Sequence, residues 1–275
     1  MTNKNQTPTI EIMIPYYGDF KLLKKAVDSV LAQTSDNWSL TILDDHFPSE
    51  QAFEYYKSNP HPKIKYIRHK KNLGITQNFN FAAQLATAKY CVIMGGDDKM
   101  LPNYVEVALK NIGKADFYQP GVEVIDADDN VYLPLVDIVK RILRPKKSGV
   151  YSGQKLATSL SNGHWLYFPS ITWRTDNLKK YPFDSRYKVL EDVVSQLSMI
   201  SEGATLYLDK TKTFQYRRFA DSLSSKEKGT GGVRFKEEDD VYDKFAIIFQ
   251  EKGWKRAAAA AKLRLTSRVH KAISW

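Results

Sequence analysis

Tyr90-Cys91-Val92-Ile93-Met94-Gly95-Gly96-Asp97-Asp98 decides the reading of this chain. The first five residues form an unbroken apolar run, as a strand buried on both faces does, and the run ends abruptly in two glycines and two acids. Glycine lets the backbone turn sharply and lets a ligand come close. Adjacent carboxylates at the carboxyl end of a parallel strand suit a hard divalent cation. Mg²⁺ or Mn²⁺ with diphosphate oxygens is the natural partner. A Gly-Gly-Asp-Asp turn is also ordinary loop chemistry, so its context has to decide.

That context is regular. Ile10-Glu11-Ile12-Met13-Ile14 is a short strand stopped by Pro15, which opens the loop Tyr16-Tyr17-Gly18-Asp19. Residues 20–33 have helical spacing, with Leu22, Leu23, Ala26, Val27, Val30 and Leu31 on one stripe. A strand over 39–43 ends in Asp44-Asp45-His46, a helix follows over 49–58, and a third strand covers 64–67. Asn72-Leu73-Gly74 then leads into a helix over 76–86 and the Tyr90 strand. This alternation predicts a parallel, doubly wound sheet, whose ligands bind beyond the carboxyl ends of the strands. Pro15, Asp44, Asp45, Asp97 and Asp98 all lie at such ends. There is no GxGxxG and no P-loop lysine, which argues against dinucleotide oxidoreductases and P-loop NTPases.

A chain of 275 residues, 43% of them hydrophobic, has room for one large α/β domain with an appendage. The single cysteine, Cys91, sits in a predicted strand, which excludes a disulfide framework and a cysteine metal site. No secretory leader is visible at the polar N-terminus, and no apolar run approaches the ~20 residues of a membrane span. The expected location is cytoplasmic, with a peripheral place on the inner face of the cell membrane. The net charge of +10 is concentrated in two clusters. One is Lys140, Arg141, Arg144, Lys146 and Lys147; the other is Lys255, Arg256, Lys262, Arg264, Arg268 and Lys271. Such clusters imply a polyanionic partner: membrane, nucleic acid or a nucleotide-sugar diphosphate.

The order of these pieces resembles the family 2 inverting glycosyltransferases of the GT-A fold. Ile14-Pro15-Tyr16-Tyr17 matches that family's first strand and loop, and Asp44-Asp45 its second strand end. Asn72-Leu73-Gly74 with Asn78 or Asn80, the metal motif at Asp97-Asp98, and Glu191-Asp192 at a helix start complete the match over about residues 9–224. The resemblance implies an α/β, Rossmann-like, mostly parallel sheet flanked by helices. It places a nucleotide-binding half over 9–115, an acceptor-binding half over 116–224, and a loop with a basic helical C-terminal extension over 225–275.

The resemblance also implies roles. Pro15, Tyr17, Asp44, Asp45, Asn72, Asn78 and Asp97 would hold the nucleotide sugar. Asp98, with Asp97, would hold Mn²⁺ or Mg²⁺ against the two phosphates. Asp192 would be the general base, supported by Glu191, and Arg217 and Arg218 would grip phosphate oxygens. His164 and Trp165 would line the acceptor pocket, although a packed core role suits Trp165 equally well. The family often carries a histidine near Phe219, and this chain has none there. The capping of a following helix competes for Asp44 and Asp45, and an acidic first helical turn for Glu191-Asp192.

The polar, glycine-rich residues 224–232 read as a lid or a linker. Residues 254–275 read as one alanine-rich helix, with Trp254, Ala258, Ala261, Leu265, Val269 and Ala272 on one face. That face suits an anionic membrane surface, the protein's own core or a second subunit. The apolar stretch 133–144, with its basic punctuation, is a second such contact. The expected activity is metal-dependent transfer from a UDP-sugar, or next a dTDP-sugar, to a saccharide or lipid-linked saccharide in cell-surface polysaccharide synthesis. A nucleotidyltransferase or a basic nucleic-acid- or membrane-binding protein is the alternative, and no nucleic-acid motif supports the former partner.

Overall fold

β1 (Ile10–Tyr16), β2 (Trp38–Asp44), β3 (Ile64–Arg68) and β4 (Tyr90–Ile93) pair in parallel, in the order β3-β2-β1-β4. They belong to the computed structural model of the chain, which describes residues 10–219 and 233–264. The helices α1 (Phe20–Leu31), α2 (Gln51–Ser58) and α3 (Ile75–Leu85) connect these strands, as the alternation of the sequence predicts. β1 runs two residues further than the predicted stop at Pro15. Met94 N donates to the carbonyl of Met13, so alternate residues of β1 face β4. The imide of Pro15 therefore turns to the side where the β4 ladder has already ended, and its missing N–H costs nothing.

The sheet then continues with mixed polarity. β5 (Lys99–Met100), α4 (Tyr104–Ile112), β6 (Phe117–Ile125), α5 (Leu135–Leu143), β7 (Gly149–Tyr151), α6 (Gly153–Asn162), β8 (Thr172–Arg174) and α7 (Thr175–Lys180) follow in sequence. After them come α8 (Glu191–Ser201), β9 (Leu206–Arg217), α9 (Val233–Glu251) and α10 (Lys255–Leu263). The full strand order is β3-β2-β1-β4-β8-β6-β9-β5, with β7 beside β9. β8 runs antiparallel between β4 and β6, while β9 runs parallel to β6. The carboxyl ends of β1, β2, β4, β6 and β9 therefore share one edge of the sheet.

Alternate strand residues feed two cores. Ile10, Ile12, Ile14, Leu40, Ile42 and Val92 pack against α1, α2 and α4. On the other face Met13, Leu43, Cys91 and Ile93 meet α3, α6, α8, α9 and α10. Burial pushes the Cys91 thiol up to about 12, so this cysteine acts as a small apolar side chain.

The expected C-terminal helical extension is present, and its helices are part of that second core. Val241, Phe245 and Phe249 of α9 and Ala257, Ala258 and Ala261 of α10 are buried in it. The Trp254 ring stacks on Phe249 with centroids 5.8 Å apart. Between the protein's own core, membrane and dimer, the described part of the 254–275 face has chosen the core. The expected single helix also ends early. Arg264 takes a left-handed φ of 45°, stops α10, and pairs with Asp239 and Asp243 of α9. Leu265, Arg268, Val269, Lys271 and Ala272 lie outside the described residues, as does all of 224–232.

Candidate active site

Asp97 and Asp98 sit where β4 turns out of the sheet. A Cβ placed on Gly95 would meet Asp98 Oδ2 at 2.6 Å and Asp97 Oδ1 at 2.8 Å. Both carboxylates thus fold over the same bare backbone position, and only glycine permits it. Asp98 Oδ1 accepts from the backbone N–H of Arg217 at 2.8 Å, which leaves Oδ2 turned toward its neighbour. Burial pushes both carboxyls up, Asp98 further because Asp97 stands beside it. Two crowded, desolvated carboxylates prefer to share a cation. Among the described residues no group of three or more His, Cys, Asp or Glu is arranged around a metal. Two carboxylates with open coordination suit Mg²⁺ or Mn²⁺ shared with phosphate and water.

The Arg217 guanidinium is engaged within the fold, unlike the phosphate grip expected of it. Its Nε donates to the carbonyl of Asp97 (2.7 Å) and its Nη1 to those of Asp126 (2.5 Å) and Ala127 (3.3 Å). Its Nη2 pairs with Asp129, and the side chain is wholly buried. Arg217 is a positioning residue that ties the acid pair to the loop after β6. Arg218 is held too, by a bidentate pair to Asp137 of α5 at 2.5 and 2.9 Å, with its guanidinium 5.2 Å from the Tyr216 ring centroid. Its remaining amino group, Nη1, makes no hydrogen bond among the described residues, so Arg218 keeps one donor uncommitted there.

Asp44 and Asp45 are buried at the end of β2, and both are engaged. Asp44 accepts from Phe47 N (2.9 Å) and the Tyr66 hydroxyl (2.8 Å), and lies 3.5 Å from Arg68 Nε. Asp45 accepts from Leu73 N (2.7 Å) and Gly74 N (2.9 Å), fixing the turn that enters α3. Asn72 Oδ1 also accepts from Gly74 N, at 2.8 Å. Each carboxylate oxygen offers two lone pairs, so Asp45 retains acceptor capacity beside this turn. Asn78 is corrected to a framework residue. It is buried, donates to the Leu43 carbonyl (2.9 Å) and meets His69 Nε2 at 3.0 Å. Asn80, its alternative, exchanges two hydrogen bonds of 2.9 Å with the backbone of Phe183, tying α3 to the segment before α8. Pro15 lies within β1. Tyr17, 55% exposed, meets Phe47 edge-on at 5.1 Å and offers an open aromatic face beside the Asp45 turn.

Glu191 and Asp192 begin α8, as expected, and their surroundings differ from those of Asp44-Asp45. Glu191 is buried and, among the described residues, its Oε2 has no hydrogen-bond partner. Burial, then repulsion from Asp192, pushes its carboxyl up to about 8, with Glu237 adding to the shift. Asp192 is half-buried and, among the described residues, accepts only from Val193 N at 2.7 Å. Burial raises it to about 6, against the pull of Val193 N–H, Lys140 and Arg234. A partly open carboxylate with that affinity for protons is suited to general-base work near neutral pH.

Three neighbours of this pair escaped sequence reasoning. Glu237 of α9 accepts from Lys188 N (2.8 Å), Val189 N (3.0 Å) and Leu190 N (3.2 Å), and so caps α8 from outside. Tyr187 pairs with Asp240 of the same helix. Lys140 reaches inward from α5 to the Leu166 carbonyl at 2.9 Å. Burial, then Arg218, brings its ammonium down to about 8.

His164 and Trp165, expected at an acceptor pocket, are drawn inward, although Trp165 also lines a cavity with Lys140 and Arg144. Burial, then Lys140, brings the His164 imidazole down to about 3 against the opposing effect of Gln196, so it stays neutral, and among the described residues its Nε2 has no hydrogen-bond partner. Trp165 is fully buried in the second core and donates to Ser159 Oγ at 3.1 Å.

Tyr216 links the two acid pairs. Its hydroxyl is held well above its ordinary range, by burial first and then, against Arg218, by Asp98, Asp97 and Asp137. From Arg218 the charges continue through Lys140 to Asp192. A run of interacting charged and polar groups thus leads from Asp97-Asp98 through Tyr216, Arg218 and Lys140 to Asp192.

This fold and edge define a GT-A nucleotide-sugar transferase architecture. The sequence matches Glycosyl transferase family 2 over residues 11–175, more than half of its length, and the chain belongs to that family. It is 25% identical over 192 residues to an uncharacterized glycosyltransferase of Methanocaldococcus jannaschii, covering 68% of this chain and 62% of that one. It is 35% identical over 103 residues to the putative colanic acid biosynthesis glycosyl transferase WcaA of Escherichia coli, covering 37% of each. The chain thus spans less than two-thirds of these relatives. In structure it is similar to Staphylococcus aureus TarS 1–349 in complex with UDP-GlcNAc, with a TM-score of 0.71, 14% identity, and 93% of this chain and 72% of that one covered. It is also similar to the mannosyltransferase PcManGT from Pyrobaculum calidifontis, solved with GDP-Man and Mn²⁺. There the TM-score is 0.65 at 11% identity, covering 98% and 74% of the two chains.

Proposed function

We propose that this protein is a metal-dependent inverting glycosyltransferase. It moves a sugar from a nucleoside diphosphate to a hydroxyl of a saccharide or lipid-linked saccharide. One observation carries the proposal: at one sheet edge, a carboxylate pair folded over Gly95 stands with a half-buried aspartate held at about 6. Asp98 Oδ2 and Asp97 Oδ1 would hold Mn²⁺ or Mg²⁺, which when bound supplies Lewis-acid stabilisation of the departing diphosphate. Arg218 Nη1 donates to the same phosphates. Tyr17 and the Asp45 turn receive the base and ribose, with UDP favoured and dTDP next.

Asp192 takes the proton of the acceptor hydroxyl as that oxygen bonds to the anomeric carbon. The carbon–oxygen bond to the diphosphate breaks on the opposite face, inverting the configuration. Glu191, protonated at neutral pH, supports Asp192 without competing as a second anion. Similarity to a colanic acid transferase favours cell-surface polysaccharide as the product. The test is incubation of UDP- and dTDP-sugars with Mn²⁺ and a panel of oligosaccharide and polyprenyl-diphosphate-saccharide acceptors, followed by mass spectrometry. A product one sugar heavier, absent with Asp192→Asn, supports the reading. Undiminished product from Asp192→Asn contradicts it.

A further inference from the structure

α5 is built inside out. Its apolar residues Leu135, Ile138, Val139 and Ile142 recur at helical spacing and face solvent, with Leu135 70% and Ile142 65% exposed. The charged residues of the opposite face point inward, Asp137 to Arg218 and Tyr167, Lys140 to the Leu166 carbonyl. Val131, Tyr132 and Leu133, in the preceding loop, extend the exposed apolar surface. A helix of a water-facing protein normally turns its apolar stripe to the core. A contiguous exposed apolar surface of this kind marks an interaction site.

Two further observations say what covers it. The rim is basic: Arg141 and Arg144 of the helix end and Lys146 and Lys147 beyond it. Alongside lies a cavity of about 360 Å³, lined by Leu133, Lys140, Arg141, Arg144, Lys210 and Lys212 among others. The sole acid lining it, Glu123, is already paired with Lys212 at 2.9 Å. Among the described residues, the side chains of Arg141, Arg144, Lys147 and Lys210 make no hydrogen bond or ion pair. Arg144 is partly buried all the same. Asp209 acts on it electrostatically but makes no ion pair with it, and a desolvated guanidinium without a direct partner is costly until an anion arrives. A shallower groove beside the cavity, lined by Leu133, Ile138, Arg141, Ile142 and Lys146, joins the cations to the apolar row.

We propose that this surface docks the protein on an anionic bilayer. Leu135, Ile138 and Ile142 enter the interface, and a lipid headgroup phosphate occupies the cationic cavity. An apolar row flanked by Lys and Arg is the pattern of an interfacial helix. Because Asp137 anchors Arg218 from the same helix, docking brings the lipid surface next to the transfer site. A lipid-linked acceptor would be met there. The inference stands whether or not the chain transfers sugar, since its readout is binding to lipid.

The test is co-flotation of the full chain with phosphatidylcholine vesicles containing about one-third phosphatidylglycerol, against pure phosphatidylcholine. We expect flotation with the anionic vesicles only. Ile142→Asp with Leu135→Asp should weaken it at least tenfold, as should Arg141→Glu with Arg144→Glu. Leu135, Ile142 and Arg141 are exposed and Arg144 is partly buried, so an unchanged circular dichroism spectrum and melting temperature confirm folding of each variant. Failure of the wild type to float overturns the proposal. So does flotation untouched by the α5 substitutions, which would move the contact to the C-terminal basic cluster. A wild-type dimer that Ile142→Asp dissociates, with no vesicle binding, would assign the face to a second copy of the chain instead.

Discussion

Asp44-Asp45 and Glu191-Asp192 look alike in the sequence, and each stands at a junction of secondary structure on the same edge of the sheet. At the end of β2 the acids accept from the N–H groups of Phe47, Leu73 and Gly74 and from the Tyr66 hydroxyl. These are fixed donors of the fold, and the carboxylates act as struts that set the loop into α3. At the start of α8 the acids have almost no such donors. Glu191 keeps an orphaned oxygen, Asp192 holds one neighbouring N–H, and both carboxyls are pushed up by burial. The donors there go to Glu237 instead, so that Asp192 is oriented without being satisfied. On the proposed mechanism, the fold uses one acidic pair for shape and the other for chemistry. The difference lies in who occupies the lone pairs.

The largest effect that sharpens this contrast is on turnover. Asp192→Asn should lower kcat by about 10³-fold, the scale of a lost general base, with donor affinity and melting temperature nearly unchanged. Asp45→Ala should behave in the opposite way. Losing two hydrogen bonds to a buried carboxylate should cost about 3 kcal/mol of stability, read by urea unfolding. Equal stability losses for the two variants would break the distinction. Glu237→Gln comes next. The amide offers one acceptor oxygen to three backbone N–H groups, so about 2 kcal/mol should be lost. A fall in kcat without a change in donor KM would mark Glu237 as positioning Asp192; a KM change alone would make it only structural.

The smallest effect is on the pH profile. Asp192 works when deprotonated, so kcat/KM should rise as pH increases through about 6. Lys140 favours the carboxylate form. Lys140→Met should therefore move that limb upward by a fraction of a pH unit, and a downward shift would contradict the placement of the cation.

The donor half was legible because its signals are local. The alternation of residues 10–93 sets strands, helices and their carboxyl ends without reference to distant partners. Asp97-Asp98 over Gly95 was legible for the same reason. What could not be read depends on contacts between segments far apart in the chain. Arg217 looks like a phosphate grip until Asp129 is seen to take its guanidinium, and Asp137 leaves Arg218 only its Nη1. Glu237 reads as one more solvated acid until α9 is packed against residues 188–190. The buried faces of α10 and the inverted face of α5 are both amphipathic patterns, and only the fold tells which of them meets the core.

The most direct test is thermal stabilisation by UDP, with and without Mn²⁺, measured on wild type, Asp98→Ala and Asp192→Asn. Binding to the folded state raises the melting temperature by mass action. The account predicts a Mn²⁺-dependent rise in wild type and in Asp192→Asn, and none in Asp98→Ala. A rise of equal size in Asp98→Ala, or one lost in Asp192→Asn alone, would contradict the division of labour between the two acid pairs.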